Sequence, residues 1–168
     1  MRRVLIIGPC GSGKSTLACE LAPRLGLSLI HMDQLGWQPG WVEATKADLR
    51  ARVETAVAGE AWLIEGNYGS VLLPRLERAD LVLYLDFPIR LCLSRLIRRI
   101  VSHRGRSRPD MPAGCPERFD AAFFWYVMNW NSGPRLRTEA AIAPFAKKVV
   151  RLKSPQQLAA WRDHNGLA

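Results

Sequence analysis

Residues 8–16 read Gly8-Pro9-Cys10-Gly11-Ser12-Gly13-Lys14-Ser15-Thr16, and this stretch constrains the fold more than any other. Three glycines within six positions allow left-handed backbone and the close approach of main chain to an oxyanion. The lysine and hydroxyls that follow open a helix, whose N-terminal partial charge favours the same anion. The loop matches G-x-x-x-x-G-K-[ST], and its context agrees. An apolar run at 4–7 precedes it, and Leu17, Leu21 and Leu25 mark one face of a helix behind it. A strand–loop–helix unit of this kind has to sit in a sheet covered by helices.

The rest of the chain repeats the alternation. Short, continuously apolar runs at 4–7, 28–32, 61–65, 81–86 and 147–152 read as five strands buried on both faces. Helical patterns cover about 14–25, 44–58, 89–103, 116–131 and 155–164, with Gly26 and Gly59 at positions suited to helix C-termini. This order predicts an α/β protein, a three-layer α/β/α P-loop NTPase fold with a parallel sheet and right-handed crossovers. Its ligands are expected beyond the carboxyl ends of the strands. A length of 168 residues suits a single domain, 1–168. With 48% hydrophobic and 23% charged residues, disorder and coiled coils are excluded. The longest apolar run, 79–87, is interrupted by Asp80 and Asp86, and the apolar stretch after Arg2-Arg3 is too short for a signal sequence. Four cysteines without CxxC pairing fit a reducing compartment, so the expectation is a soluble, cytoplasmic protein with no membrane partner.

Within the loop, Gly8, Pro9, Cys10, Gly11, Ser12, Gly13, Lys14, Ser15 and Thr16 are expected to hold the phosphates of ATP. The Lys14 ammonium reaches the β/γ-phosphates, and Ser15 Oγ is placed to ligate Mg²⁺. Cys10 reads as a small filler. Three carboxylates close predicted strands. Glu65, before Gly66-Asn67-Tyr68, reads as the metal acid; Asp86, just before Pro88, reads as a helix cap. Asp33 stands before an aromatic loop containing Trp37 and Trp41. Two readings stand for it: an acid facing the acceptor, or a turn-stabilising residue. His31, His103 and His164 form no cluster and none reads as a ligand.

The net charge is +9, and it is concentrated. Seven arginines and no acid lie between Phe87 and Pro109, leaving 17 basic against 15 acidic residues elsewhere, a net of +2. On a helical wheel Ile89, Leu93, Leu96, Ile97 and Ile100 share one side, and Arg95, Arg98, Arg99 and Ser102 the other. The basic, Gly-containing segment that follows has the composition of a mobile lid, about 98–118, with Arg95 and Arg99 as candidates for contact with the transferring phosphoryl group. Phe119, Phe123, Phe124, Trp125, Tyr126 and Trp130 lie on the next predicted helix, and most are expected in the core.

His31-Met32-Asp33, Pro39-Gly40-Trp41-Val42-Glu43, Glu65-Gly66-Asn67-Tyr68, Leu85-Asp86-Phe87-Pro88, Gly105-Arg106-Ser107-Arg108-Pro109-Asp110-Met111 and Gly114-Cys115-Pro116-Glu117-Arg118-Phe119 join the loop in one pattern. Over nearly the whole chain this pattern resembles the bacterial DNA topology modulation protein family, a branch of the adenylate-kinase-like P-loop proteins. The resemblance implies a sheet order of 2-3-1-4-5, a lid after the fourth strand, lid arginines at Arg95 and Arg99, Asp33 facing the acceptor, and Lys153-Ser154-Pro155 bordering the adenine. The acceptor region carries no nucleoside-monophosphate signature. The expected activity is an ATP-dependent kinase of a small molecule; a nucleic-acid-associated ATPase or a regulatory nucleotide sensor is the alternative. No helix-turn-helix, zinc or OB-type module is left over for nucleic acid, and neither acceptor nor oligomeric state is specified.

Overall fold

The computed structural model describes residues 1–167. Five parallel strands form the central sheet: β1 (Arg3–Ile7), β2 (Leu29–His31), β3 (Trp62–Glu65), β4 (Leu81–Leu85) and β5 (Val149–Leu152), in the order β2-β3-β1-β4-β5. Ile6 pairs with Glu65 on one side and Leu83 on the other, so the ends of β1, β3 and β4 lie level. The expected order is met.

Because side chains alternate along a strand, each strand feeds two cores. Leu5, Ile7, Ile64, Val82 and Tyr84 face α2 (Lys46–Ala58), α3 (Leu72–Arg78) and α6 (Pro134–Ile142). Val4, Ile6, Leu63, Leu83 and Leu85 face α1 (Lys14–Leu25), the start of α4 (Ile89–Ser102) and α7 (Pro155–His164). Between these lie a one-turn helix, Met32–Gly36, and a two-stranded antiparallel ribbon, Trp37–Gln38 with Val42–Glu43. An eight-residue helix α5, Ala121–Met128, and a 3-10 turn, Trp130–Ser132, precede α6.

Several local expectations are corrected. Helices α3 and α6 were not foreseen, because each is short and carries a proline near its start. The predicted helix 116–131 begins only at Ala121, where Asp120 accepts a hydrogen bond from Phe123 N. The aromatic residues of that helix are largely outside the core: Phe119 is 63% and Trp125 66% exposed, and only Val127 and Trp130 are buried. Neither sheet core reaches α5, which leans instead on α4 and the 3-10 turn. Gly59 follows α2 with φ −59°, so no left-handed glycine ends that helix, whereas Gly26 does end α1 with φ 63°. Ile97, placed on the core side of the wheel, is half exposed.

Candidate active site

The loop after β1 is wedged against two neighbours, which explains its glycines. A Cβ on Gly8 (φ 148°) would lie 2.5 Å from the Leu85 carbonyl oxygen, and one on Gly11 (φ 81°) 2.2 Å from that of Cys92. No other residue type fits either position. Asn67, just beyond β3, locks the loop: its Oδ1 accepts from Gly8 N at 2.9 Å and its Nδ2 donates to Gly8 O at 2.6 Å. Lys14 Nζ rests on the Pro9 carbonyl at 3.0 Å. Ser12 Oγ is buried with no hydrogen-bond partner, an orphaned hydroxyl that a phosphate oxygen would satisfy.

Ser15 Oγ donates to Glu65 Oε1 at 3.1 Å, and His31 Nδ1 lies 2.8 Å from the same oxygen. Residues 15 and 65, separated by half a sheet in sequence, therefore present hard oxygen donors at one point, a set that suits Mg²⁺. His31, which forms no cluster with the other histidines, packs its ring nitrogen against Glu65. Burial pushes the His31 imidazole towards neutrality, but the hydrogen bond and charge of Glu65 outweigh burial and raise its pKa. Asp86 takes no part. Arg135 grips its carboxylate through two bonds of 3.0 and 2.9 Å, with Arg151 3.5 Å away, and Pro88 rather than Asp86 occupies the N-cap of α4. The expected cap is an ion-pair anchor.

Loop, metal donors and the second strand end open onto one cavity of about 820 Å³. Asp33 lines it and accepts from Tyr68 Oη at 2.8 Å. Burial, and then the nearby Glu65 charge, raise the Asp33 pKa above the usual aspartate range. Tyr68 closes over Gly36, where a Cβ would sit 2.6 Å from the phenol ring. Beneath these residues runs Arg75, fully buried, donating to the carbonyls of Val71, Gly66, Asn67 and Tyr68. Burial lowers its pKa to about 9, which still leaves it cationic at neutral pH. One guanidinium thus holds the turn that presents both Asn67 and Tyr68.

The arginine stripe divides in two. Arg95, Arg99 and Arg108 line the cavity, whereas Arg90, Arg98, Arg104 and Arg106 are exposed. Arg95 Nη1 donates to the Ser12 carbonyl at 3.2 Å and its guanidinium lies 5.8 Å from the centre of the Phe87 ring. Arg99 reaches Cys10 Sγ at 3.5 Å and pairs with Glu117 at 3.2 Å; Arg108 pairs with Glu117 at 2.8 Å and Asp110 at 2.6 Å. Cys10 is therefore a neighbour of Arg99 at the cavity wall as well as a filler.

Segment 103–120 is docked, not free. Gln34 Nε2 donates to Pro109 O, Gly40 N to Gly114 O, Cys115 Sγ to Gln38 O and Trp41 Nε1 to Pro116 O, at 2.9–3.2 Å. The roof of the cavity is thus the ribbon and this segment together. Phe123 and Tyr126, stacked at 6.5 Å, line the same cavity, as do Pro155 and Leu158. Asn67, Tyr68, Arg75 and Glu117 were not singled out from sequence. The clue for the first two was their place directly after a strand ending in a carboxylate; Glu117 stands in the family pattern at 114–119, but with partners nine and eighteen residues away nothing in the sequence assigned it a role.

A phosphate loop at the end of β1, an adjoining oxygen pair and an acid across the cavity define a P-loop kinase, a nucleotide-binding, ATP-dependent phosphotransferase. Residues 4–72 match the ATPase family associated with various cellular activities (AAA). Shikimate kinase of Gloeobacter violaceus is 32% identical over 123 residues, 65% of this chain and 67% of that one. That of Baumannia cicadellinicola is 29% identical over 132 residues, 70% and 73% of the two chains. Among solved structures, shikimate kinase from Acinetobacter baumannii in complex with shikimate superposes with a TM-score of 0.59 at 15% identity, over 99% of this chain and 92% of that one. Deoxyadenosine kinase from M. mycoides with bound dATP gives 0.60 at 12%, over 98% and 99%. The chain belongs to the family of P-loop kinases that contains the shikimate kinases. No helix among the described residues is long and apolar enough to cross a membrane.

Proposed function

We propose that the protein transfers the γ-phosphoryl group of ATP to a hydroxyl of a small molecule. The observation that carries this reading is the polarity of this cavity. Lys14 and Arg95, cations with no acidic partner among the described residues, converge on its phosphate loop, and the half-buried Asp33 lies towards the other end. The triphosphate lies along residues 8–16, and Ser12 Oγ finds its missing partner there. Of Lys153-Ser154-Pro155, expected to border the adenine, Pro155 lines the cavity and Lys153 and Ser154 do not, so the adenine would lie by Pro155, with Phe123 and Tyr126 also in the wall. Ser15 and Glu65 would hold Mg²⁺, which would supply neutralisation of the phosphate charge.

Asp33 accepts the proton of the acceptor hydroxyl. The hydroxyl oxygen forms a bond to Pγ, the bond from Pγ to the bridging oxygen breaks, and its electron pair remains on the β-phosphate of ADP. The raised pKa makes Asp33 a stronger base, and the Tyr68 hydroxyl keeps its second oxygen aimed at the substrate. Arg95 stabilises the charge spread over the transferring group, and Arg99, held by Glu117, lies one helical turn further on. The chain acts as a single domain with a lid at about 98–118, of which 98–102 end α4 and the remainder is the docked segment. The closer kinship with bacterial DNA topology modulation proteins belongs to this proposal and rests on the motifs that bracket the cavity. Calorimetry with Mg·ATP on wild type and Lys14→Ala tests the reading. The variant should lose tight binding while keeping its melting transition; unchanged affinity would overturn it.

A further inference from the structure

From the charges around the acceptor end of the cavity, we infer that the phosphoryl acceptor is a neutral or cationic polyhydroxyl compound, one that bears no carboxylate or phosphate of its own. The inference rests on the kinase reading and narrows it to a substrate class.

The acceptor end is walled by Asp33, Trp37, Glu43 and Tyr68, with Asp110 in the roof. Trp37 and Glu43 are register partners in the ribbon, so ring and carboxylate sit side by side. Asp33 accepts one hydrogen bond, from Tyr68, and among the described residues Glu43 has no basic partner. Two carboxylates therefore face the space with acceptor capacity to spare.

The cations do not balance them. Among the described residues the cavity is lined by five basic side chains. Lys14 and Arg95 lie on the carbonyls of Pro9 and Ser12, where the triphosphate goes. Arg99 and Arg108 share the buried Glu117, and Arg108 also holds Asp110. Arg162 pairs with Glu20 at 2.8 Å, on the side of α1. The charges of Lys14 and Arg108 do act on Asp33, but Arg108 is held by two carboxylates and Lys14 serves the triphosphate. Among the described residues no basic side chain of the cavity is left uncommitted, so an anionic group on the acceptor would face Asp33 and Glu43. Like charges placed together in a closed site are strongly disfavoured. Hydroxyl or ammonium donors, by contrast, would satisfy the two carboxylates, and the faces of Trp37 and Tyr68 suit the C–H face of a sugar ring or an ammonium group. Shikimate and nucleoside monophosphates, both anions, do not fit this wall, whatever the likeness in fold.

The test uses matched compounds that differ in charge and little else: shikimate against its methyl ester, glucuronate against glucose and glucosamine, uridine 5′-monophosphate against uridine. Each is added to the full-length protein with Mg·ATP, and both ADP release and calorimetric binding are read. The neutral or cationic member should be favoured by roughly tenfold or more in each set that binds. Glu43→Arg, a change at an exposed position, should shrink or reverse that preference. Preference for the anionic members, equal behaviour across every set, or an unchanged preference in Glu43→Arg would overturn the inference while ATP binding stands. Loss of ATP binding by the wild-type protein would overturn the kinase reading, and this inference with it.

Discussion

At the donor end of the cavity most ligand-facing groups come from one short loop, residues 8–16, joined by Glu65 from β3 and Arg95 from α4. At the acceptor end they are side chains delivered by three separate segments. Asp33 and Glu43 come from the stretch around the ribbon, Tyr68 from the turn after β3, and Asp110, paired with Arg108, from the segment after α4. The donor end is rigid because its backbone is wedged against Leu85 and Cys92 and pinned by Asn67. The acceptor end is held by a few backbone bonds between ribbon and lid, and by the buried Arg75 beneath Tyr68. A site built mainly from one loop serves any ATP-dependent reaction, whereas a site assembled from three loops can change its substrate one loop at a time.

If the donor end does the stabilising of charge, the largest effect should come from Arg95. Arg95→Ala should lower turnover by roughly 10³–10⁵ while leaving most ATP affinity in place, as expected of a group that acts on the transition state. Single-turnover kinetics beside ATP titration would show the split. Arg104→Ala and Arg106→Ala, both on the outer surface, should leave turnover unaltered. If they depress it as Arg95→Ala does, the division of the arginine stripe into inner and outer sets is wrong.

Next in size is the metal pair. Glu65→Gln keeps the shape but weakens an oxygen donor, and the Mg²⁺ concentration needed for half-maximal turnover should rise by roughly tenfold or more. Asp86→Asn should leave that requirement unchanged and lower the melting temperature instead, because Arg135 and Arg151 lose their carboxylate. The reverse pattern would move the metal acid from β3 to β4.

A smaller effect is expected at Asn67, which bridges the two ends. Asn67→Ala removes both bonds to Gly8 and leaves that backbone unpaired, a loss of about 1–3 kcal/mol. The KM for ATP should rise more than kcat falls, since the loop is loosened while Asp33 and Tyr68 keep their contact. An effect confined to kcat would place Asn67 with the acceptor instead.

The same contrast decides what could be read before the structure was known. The donor end was legible because its chemistry is local: glycines, lysine and hydroxyls within nine residues, between a strand and a helix. The sheet order was legible through the family pattern, and the strands through their unbroken apolar runs. The lid carboxylate Glu117 was not, because its partners Arg99 and Arg108 are brought to it by a loop that no periodicity describes. Arg75 looked like one surface cation among 24. Its burial follows from four carbonyls that converge in space and leave no mark in the sequence. The aromatic run at 119–130 misled for the opposite reason. Its hydrophobicity suggested a core, but both sheet faces were already covered by other helices.

The smallest expected shift is one of melting temperature, and it separates function from stability at the acceptor end. Folding raises the Asp33 pKa, so the folded state disfavours its charge. Below the pKa of the unfolded chain the residue is protonated in both states and nothing is lost. As pH rises from there through the folded-state value, the unfolded chain ionises more readily, and the folded state gives up part of its stability; above that value the loss stays constant. Asp33→Asn is neutral at every pH and can still accept the Tyr68 hydrogen bond. It should therefore match wild type in strong acid and melt slightly higher at neutral pH, by on the order of 1–3 °C. Transfer to the acceptor should meanwhile fall by roughly 10²–10⁴, the usual contribution of a positioned base. Thermal melts across pH beside ADP-release assays would measure both. A variant that melts lower at neutral pH and transfers normally would make Asp33 a turn-stabilising residue and leave the acceptor end without its base.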